Sequence, residues 1–254
     1  MPSLIYAIFS TVDVVALLTL FVSALMFTVF TIRARRDGRF PLRPIGVYER
    51  MRRLVSHAAE SGQSLHVSVG SGRIGTEATP QALMGITAAD YLARRSTEYA
   101  YPLMSTAGSP TVFATAHGVL QQAETSPGET GGGKIRFYGP DPFAYAAGTY
   151  DTLQEKAPLA HIVLGQFNAE GLWISEAASG QDFLQIGGTS DPSSAMLMWL
   201  SLDEAVVGEE LYAAGAYLHR PSHLGSLATQ DYLRVVLILS IIVGVVMASL
   251  GYWG

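Results

Sequence analysis

Two uncharged apolar runs bracket a middle stretch in which short apolar segments alternate with longer mixed ones. The first run, Val14 to Ile32, holds 19 residues without a charge, and the second extends from Val235 to Trp253. At 1.5 Å per residue, each is long enough to cross the hydrocarbon layer as a helix. No basic residue precedes the first run, and it is too long for a signal-peptide core, so it is expected to remain as an anchor.

Inside the brackets, Ile45 to Glu60 sets Val47, Met51, Leu54, Val55 and Ala58 at helical spacing, which predicts an amphipathic helix ended by Ser61 and Gly62. Five short apolar runs follow, each closing on glycine. Residues 65–69 end at Gly70, 102–107 at Gly108, 135–138 at Gly139, 161–164 at Gly165, and 183–186 at Gly187 and Gly188. Helical patterns fill the intervals at 81–95, 111–124, 142–156, 169–179 and 193–218. Such alternation predicts an α/β fold, a doubly wound, mostly parallel five-stranded sheet with its glycine turns at the carboxyl edge. Thr79, Ser109, Asp141 and Asp191 each precede a proline and are expected to cap the helices that follow. Residues 126–133 (SPGETGGG) and 220–229 read as loops. The expected organisation is an N-terminal segment and span (1–32), a basic juxtamembrane segment with the amphipathic helix (33–62), an α/β domain (63–219), a linker (220–232) and a C-terminal span (233–254).

Charge adds a direction to this plan. Of the 16 basic residues only Lys134 and Lys156 are lysine, and eight arginines fall between Arg33 and Arg53. Positive flanks resist translocation, so the arginines after the first span place the domain in the cytoplasm of a cell-membrane protein, with both termini outside. Arg234 at the near end of the second span, and Tyr252 and Trp253 at its far end, agree. The lipid bilayer is therefore one expected partner. The net charge of −5 suggests no nucleic-acid partner. The absence of cysteine excludes disulfides, thiolate metal sites and cysteine nucleophiles.

Candidate chemistry centres on Gly70-Ser71-Gly72-Arg73-Ile74-Gly75, a G-x-G-x-x-G run after a strand and before a helix. In a Rossmann-like dinucleotide site such glycines make the turn and admit a pyrophosphate to the helix amino end. Two departures stand against that. Residues 76–79 separate the last glycine from the helix proline, and the second strand ends in Ser105-Thr106-Ala107 with no acid to hold a ribose. A nucleotide or dinucleotide, another anion, and a purely structural turn thus remain open readings of Gly70, Ser71, Gly72, Arg73 and Gly75, with Gly108 and Ser109 at the neighbouring strand end. Asp203, Glu204, Glu209 and Glu210 are read onto one helix as a solvated face, with Glu170 and Glu176 before them. The six histidines show no metal-ligand spacing, and His66 and His161 read as core residues of strands. Neither a P-loop nor a G-x-S-x-G elbow is present, so no catalytic residue, metal or cofactor is assigned.

The segments VGSGRIGTEAT (69–79), DYLARR (90–95) and GEELYAAGAYL (208–218) resemble a family of bacterial and archaeal membrane proteins known as a domain of unknown function. That resemblance implies a membrane-anchored module without an assigned activity. Two functions follow as expectations. One is a scaffold that assembles into a homo-oligomer, alone or with other membrane proteins, through small-residue helices. The other is a sensor whose ligand binds at the Gly70–Gly75 turn.

Overall fold

The computed structural model describes residues 11–37, 43–123, 133–218 and 221–250. They fall into two units, one of residues up to Arg43 and from Arg220 onward, the other Pro44–His219. The first unit contains two helices long and apolar enough to cross a membrane, α1 (Thr11–Asp37) and α9 (Pro221–Ser249). They pack on each other, with the rings of Phe30 and Tyr232 stacked at 4.9 Å and Gly225 set against the backbone of Thr31. The stretch expected to be a connector from residue 220 to 232 is thus helical from Pro221. Its Gly225 is compatible with helix because it sits where another helix approaches. Tyr252 and Trp253 lie outside the described residues.

The second unit alternates strand and helix. It comprises α2 (Gly46–Ser61), β1 (Leu65–Gly70), α3 (Thr79–Tyr99), β2 (Leu103–Ala107), α4 (Pro110–Ala123), β3 (Gly133–Phe137), α5 (Pro142–Lys156), β4 (Ala160–Gln166), α6 (Ala169–Ser179), β5 (Leu184–Thr189), α7 (Pro192–Trp199) and β6 (Glu204–Val207). A short 3-10 turn (Gly208–Ala213) and α8 (Ala214–Tyr217) close it. Every strand pair is parallel, in the order β3-β2-β1-β4-β5-β6. The expected α/β doubly wound sheet is present with six strands rather than five.

The additional strand lies where one long helix from 193 to 218 was expected. Proline starts α7 there, but Glu-Ala-Val-Val forms β6, because an open edge of β5 offers Gly188 and Thr189 as partners for Val206 and Val207. Glu204 consequently opens a strand with Asp203 just before it, and Glu209 and Glu210 occupy the 3-10 turn, so these acids share no helix face. Gly165, Gly187 and Gly188, read as turns, lie inside β4 and β5. Of the 126–133 loop, Gly133 opens β3 and the remainder lies outside the described residues. Two of the four expected caps form: Asp141 accepts from the Ala144 amide at 2.9 Å and Asp191 from the Ser194 amide at 2.8 Å. Thr79 is instead inside its helix, and the Ser109 hydroxyl pairs with Thr111.

The two faces of the sheet differ. One carries Leu65, Val67, Val69, Leu103, Ile162, Leu164 and Ile186 and packs on an apolar layer that includes Leu92 and Ile86 of α3. Burying each such side chain contributes about 1.5–3 kcal/mol. Helix α3 lies close enough that a Cβ on Gly85 would sit 2.8 Å from the Val69 carbonyl oxygen and strike that of Leu164. The opposite face carries His66, Ser68, Thr106, His161 and Gln185, all buried. There Ser68 hydroxyl lies 3.1 Å from the Thr106 hydroxyl, which accepts from Thr149 of α5 at 3.2 Å. An apolar cluster of Tyr145, Val163, Phe167, Ile174 and Met198 secures the rest of this face.

Candidate functional site

Chain direction away from the sheet centre reverses between β1 and β4, since β2 and β3 lie to one side and β5 and β6 to the other. Loops leaving the two central strands diverge at such a reversal, and in doubly wound folds the crevice outside those carboxyl ends is where ligands bind. β1 and β4 meet at this edge through a bulge: Ser68 aligns with Val163 but Gly70 with Gln166, so β4 carries one extra residue. Gly70 adopts φ +89°, and a Cβ on it would collide with the Gln166 carbonyl. Glycine is required here by conformation and by space alike.

Five of the expected site residues, Gly70, Ser71, Gly72, Gly108 and Ser109, converge at this edge. The Ser71 amide donates to the Gln166 carbonyl at 3.0 Å, and the Gly108 amide donates to the Gly70 carbonyl at 3.0 Å. Gly72 lies against Gln166, where an added Cβ would come within 2.9 Å of the Gln166 Cβ. Gly108 leaves space for the Tyr145 ring. Ser109 is buried beside them, its hydroxyl 3.1 Å from that of Thr111, which in turn accepts from the Ile74 amide at 3.1 Å. Arg73 and Gly75 do not join the group; both are exposed on the outer part of the loop.

The loop's own threonines occupy amides that a pyrophosphate would need. Thr79 hydroxyl accepts from Gly75 and Thr76 at 2.8 and 3.1 Å, and Thr76 hydroxyl accepts from Ala78 at 3.3 Å. The four residues between Gly75 and Pro80 therefore form a self-contained turn rather than a helix amino end open to an anion.

Four residues that sequence reasoning did not place at the site complete it: Tyr145, Gln166, Asn168 and Glu170. Tyr145 is buried, donates to the Thr106 carbonyl and accepts from the Gly70 amide, both at 3.3 Å. Burial pushes its phenol up to about 12, so it stays protonated and bridges β1 to β2. Glu170 is fully buried at the start of α6. Its Oε1 accepts a short bond from the Ser71 hydroxyl and another from the Asn168 amide at 3.0 Å, while Asn168 Oδ1 accepts from Gln166 Nε2 at 3.0 Å. Among the described residues, Oε2 of Glu170 has no hydrogen-bond partner. A buried carboxylate oxygen left bare is costly unless something donates to it.

A hydroxyl–imidazole pair also exists, Ser68 Oγ to His161 Nε2 at 3.0 Å, but it is not a catalytic pair. Both residues are fully buried under α5, and burial pushes the His161 imidazole down to about 3, too weak a base near neutral pH. His66 lies beside it in register, rings 4.9 Å apart, and burial, His161 and Arg136 together hold it well below the usual imidazole range. Among the described residues, no group of three or more histidine, cysteine or acidic side chains could hold a metal ion.

The family described as a domain of unknown function, DUF6754, matches residues 5–253. No curated protein and no solved structure matches the chain.

Proposed function

The chain belongs to the DUF6754 family, a domain of unknown function, and from its own geometry we propose a membrane-anchored sensor whose α/β domain binds a small molecule between β1 and β4. The arginines at 33–53 favour a cytoplasmic domain tethered by α1 and α9 to the cell membrane, both termini outside. One observation carries the binding reading: the bare Glu170 Oε2 at the strand-order reversal, flanked by Ser71, Gln166 and Asn168. Because this oxygen is closed to solvent, a ligand that satisfies it must part the Ser71–Glu170 contact and then donate through a hydroxyl or an ammonium group. The internally bonded Gly75–Thr79 turn argues against a pyrophosphate. Ser71 and Gly70–Gly72 then act as the floor of the site, positioning Glu170 from the β1 side.

A thermal-shift screen of the detergent-solubilised chain with nucleosides, polyols and amines tests this. A ligand at 100 times its Kd stabilises by about 2.7 kcal/mol. The shift should vanish in Glu170→Gln and persist in Arg73→Gln. Persistence in Glu170→Gln, or no shift with any compound, removes the reading. Gly72 is a poor test position, because its Cβ has no room whatever the ligand.

A second reading, the homo-oligomeric scaffold, is favoured by the outer face of α7, where Trp199 is 64% and the adjoining Leu200 80% exposed, next to exposed Met196. Light scattering coupled to size exclusion reads it: the chain should elute as an oligomer, and Trp199→Glu with Leu200→Glu as a monomer. A monomeric parent would exclude it.

A further inference from the structure

The amino edge of the sheet, opposite the candidate site, carries a separate concavity. A cleft of about 580 Å³ opens where β1, β2 and β3 begin, and Gln63, Met104, Lys134, Arg136 and Lys156 line it. That volume lies in the range of small-molecule sites. The chain has only two lysines, and both are here. Among the described residues, no carboxylate lines the cleft. Between residues 44 and 219 there are eighteen acidic and nine basic side chains, so three cations gathered at one cleft run against the charge of the domain.

Glu155 pairs with two of the three cations and leaves a net positive charge among the four side chains. Glu155 Oε1 lies 2.6 Å from Lys156 Nζ, and its Oε2 lies 3.4 Å from Arg136. Arg136 also donates to the Tyr138 hydroxyl at 3.3 Å, which holds the guanidinium plane. Lys134 aligns in register with Met104, and Met104 with His66. The cationic rim therefore continues into the polar inner face, where neither nitrogen of the buried His66 has a hydrogen-bond partner among the described residues. Helices α2 and α5 end at this cleft, and their Gly62 and Ala157 amides turn back to Ala58 and Leu153 at 2.9 Å. Recognition here rests on side-chain cations, not on backbone amides.

We propose that this cleft binds a phosphate-bearing anion, with Arg136 presenting its planar fork to two oxygens and Lys134 and Lys156 acting as point charges. The phosphate belongs either to a soluble phosphorylated molecule or to an anionic lipid headgroup. The site is independent of the Glu170 crevice and stands whether or not that crevice binds a ligand.

The pair of lysines makes the test direct. Reductive dimethylation of the full chain with 13C-formaldehyde keeps the positive charge and labels two side chains besides the terminal amine. In detergent micelles, pyrophosphate should move both lysine methyl signals along one saturable curve with a common midpoint. Potassium chloride at matched ionic strength should move neither. Arg136→Gln should raise the midpoint at least tenfold. Shifts already present in phosphatidate nanodiscs and absent in phosphatidylcholine nanodiscs identify the headgroup as the source; shifts with pyrophosphate alone identify a soluble ligand. Signals that ignore both probes, follow chloride equally, or respond at only one lysine overturn the proposal.

Discussion

Acid should loosen this domain well above the pH at which carboxylates titrate. His66 and His161 are buried side by side in β1 and β4, both with pKa values driven below the ordinary 6.5 chiefly by burial, His161 to about 3. In the unfolded chain the imidazoles regain a pKa near 6.5. Between pH 6.5 and the folded values, the unfolded state binds protons that the folded state refuses, so stability falls as pH falls and is flat above about pH 7. From pH 7 to pH 5 His161 contributes a loss of about 2 kcal/mol, and His66 adds a loss of the same sign. Urea unfolding of the full chain in detergent, followed by tryptophan emission, measures it. At a slope of about 2 kcal/mol per molar, the midpoint should drop by at least about 1 M. His66→Leu removes an imidazole that makes no hydrogen bond among the described residues, so it should retain stability at pH 7 and reduce the acid loss. A parent that loses less than about 1 kcal/mol, or a His66→Leu chain as acid-sensitive as its parent, would refute the reasoning.

The same substitution should have opposite signs at two helical glycines. Gly85→Ala drives a methyl into the Leu164 and Val69 carbonyls and should cost about 1–3 kcal/mol or more. Gly118→Ala meets nothing within 4 Å and should gain about 0.5–1 kcal/mol, both readable as shifts in thermal midpoint. Tyr48→Phe withdraws the hydroxyl shared at 2.9 Å by the Glu210 and Leu211 carbonyls and should cost about 1–3 kcal/mol in urea titration, without altering any ligand-induced shift.

What could be read from the chain was what depends on local pattern. The proline-marked starts at Pro142 and Pro192, the glycine exits at Gly70 and Gly108, and the two long apolar runs all signal themselves within a few residues. Strand β6 did not, because four residues of Glu-Ala-Val-Val carry no period that separates strand from helix, and its partner β5 decides the matter. The candidate site was half legible. The glycine loop announced itself, but Tyr145, Gln166 and Glu170 reach it only because β4 pairs with β1 across the reversal in strand order. Glu170 resembled any first-turn helix acid, and nothing local marks its oxygen as buried. Lys134 and Lys156 stood out by composition, yet only parallel register brings the β3 and α5 ends to a common cleft.

The strand order also bears on how the domain is made. β1 lies at the middle of the sheet, yet its neighbour β4 is synthesised late: Ser68 waits 93 residues for His161. At 5–20 residues per second, translation leaves one flank of the central strand unclaimed for roughly 5–20 s. During that interval the nascent β1–β2–β3 portion displays an apolar ribbon of open peptide groups, the sort of template that recruits foreign strands. That flank closes when β4 emerges and pairs along β1.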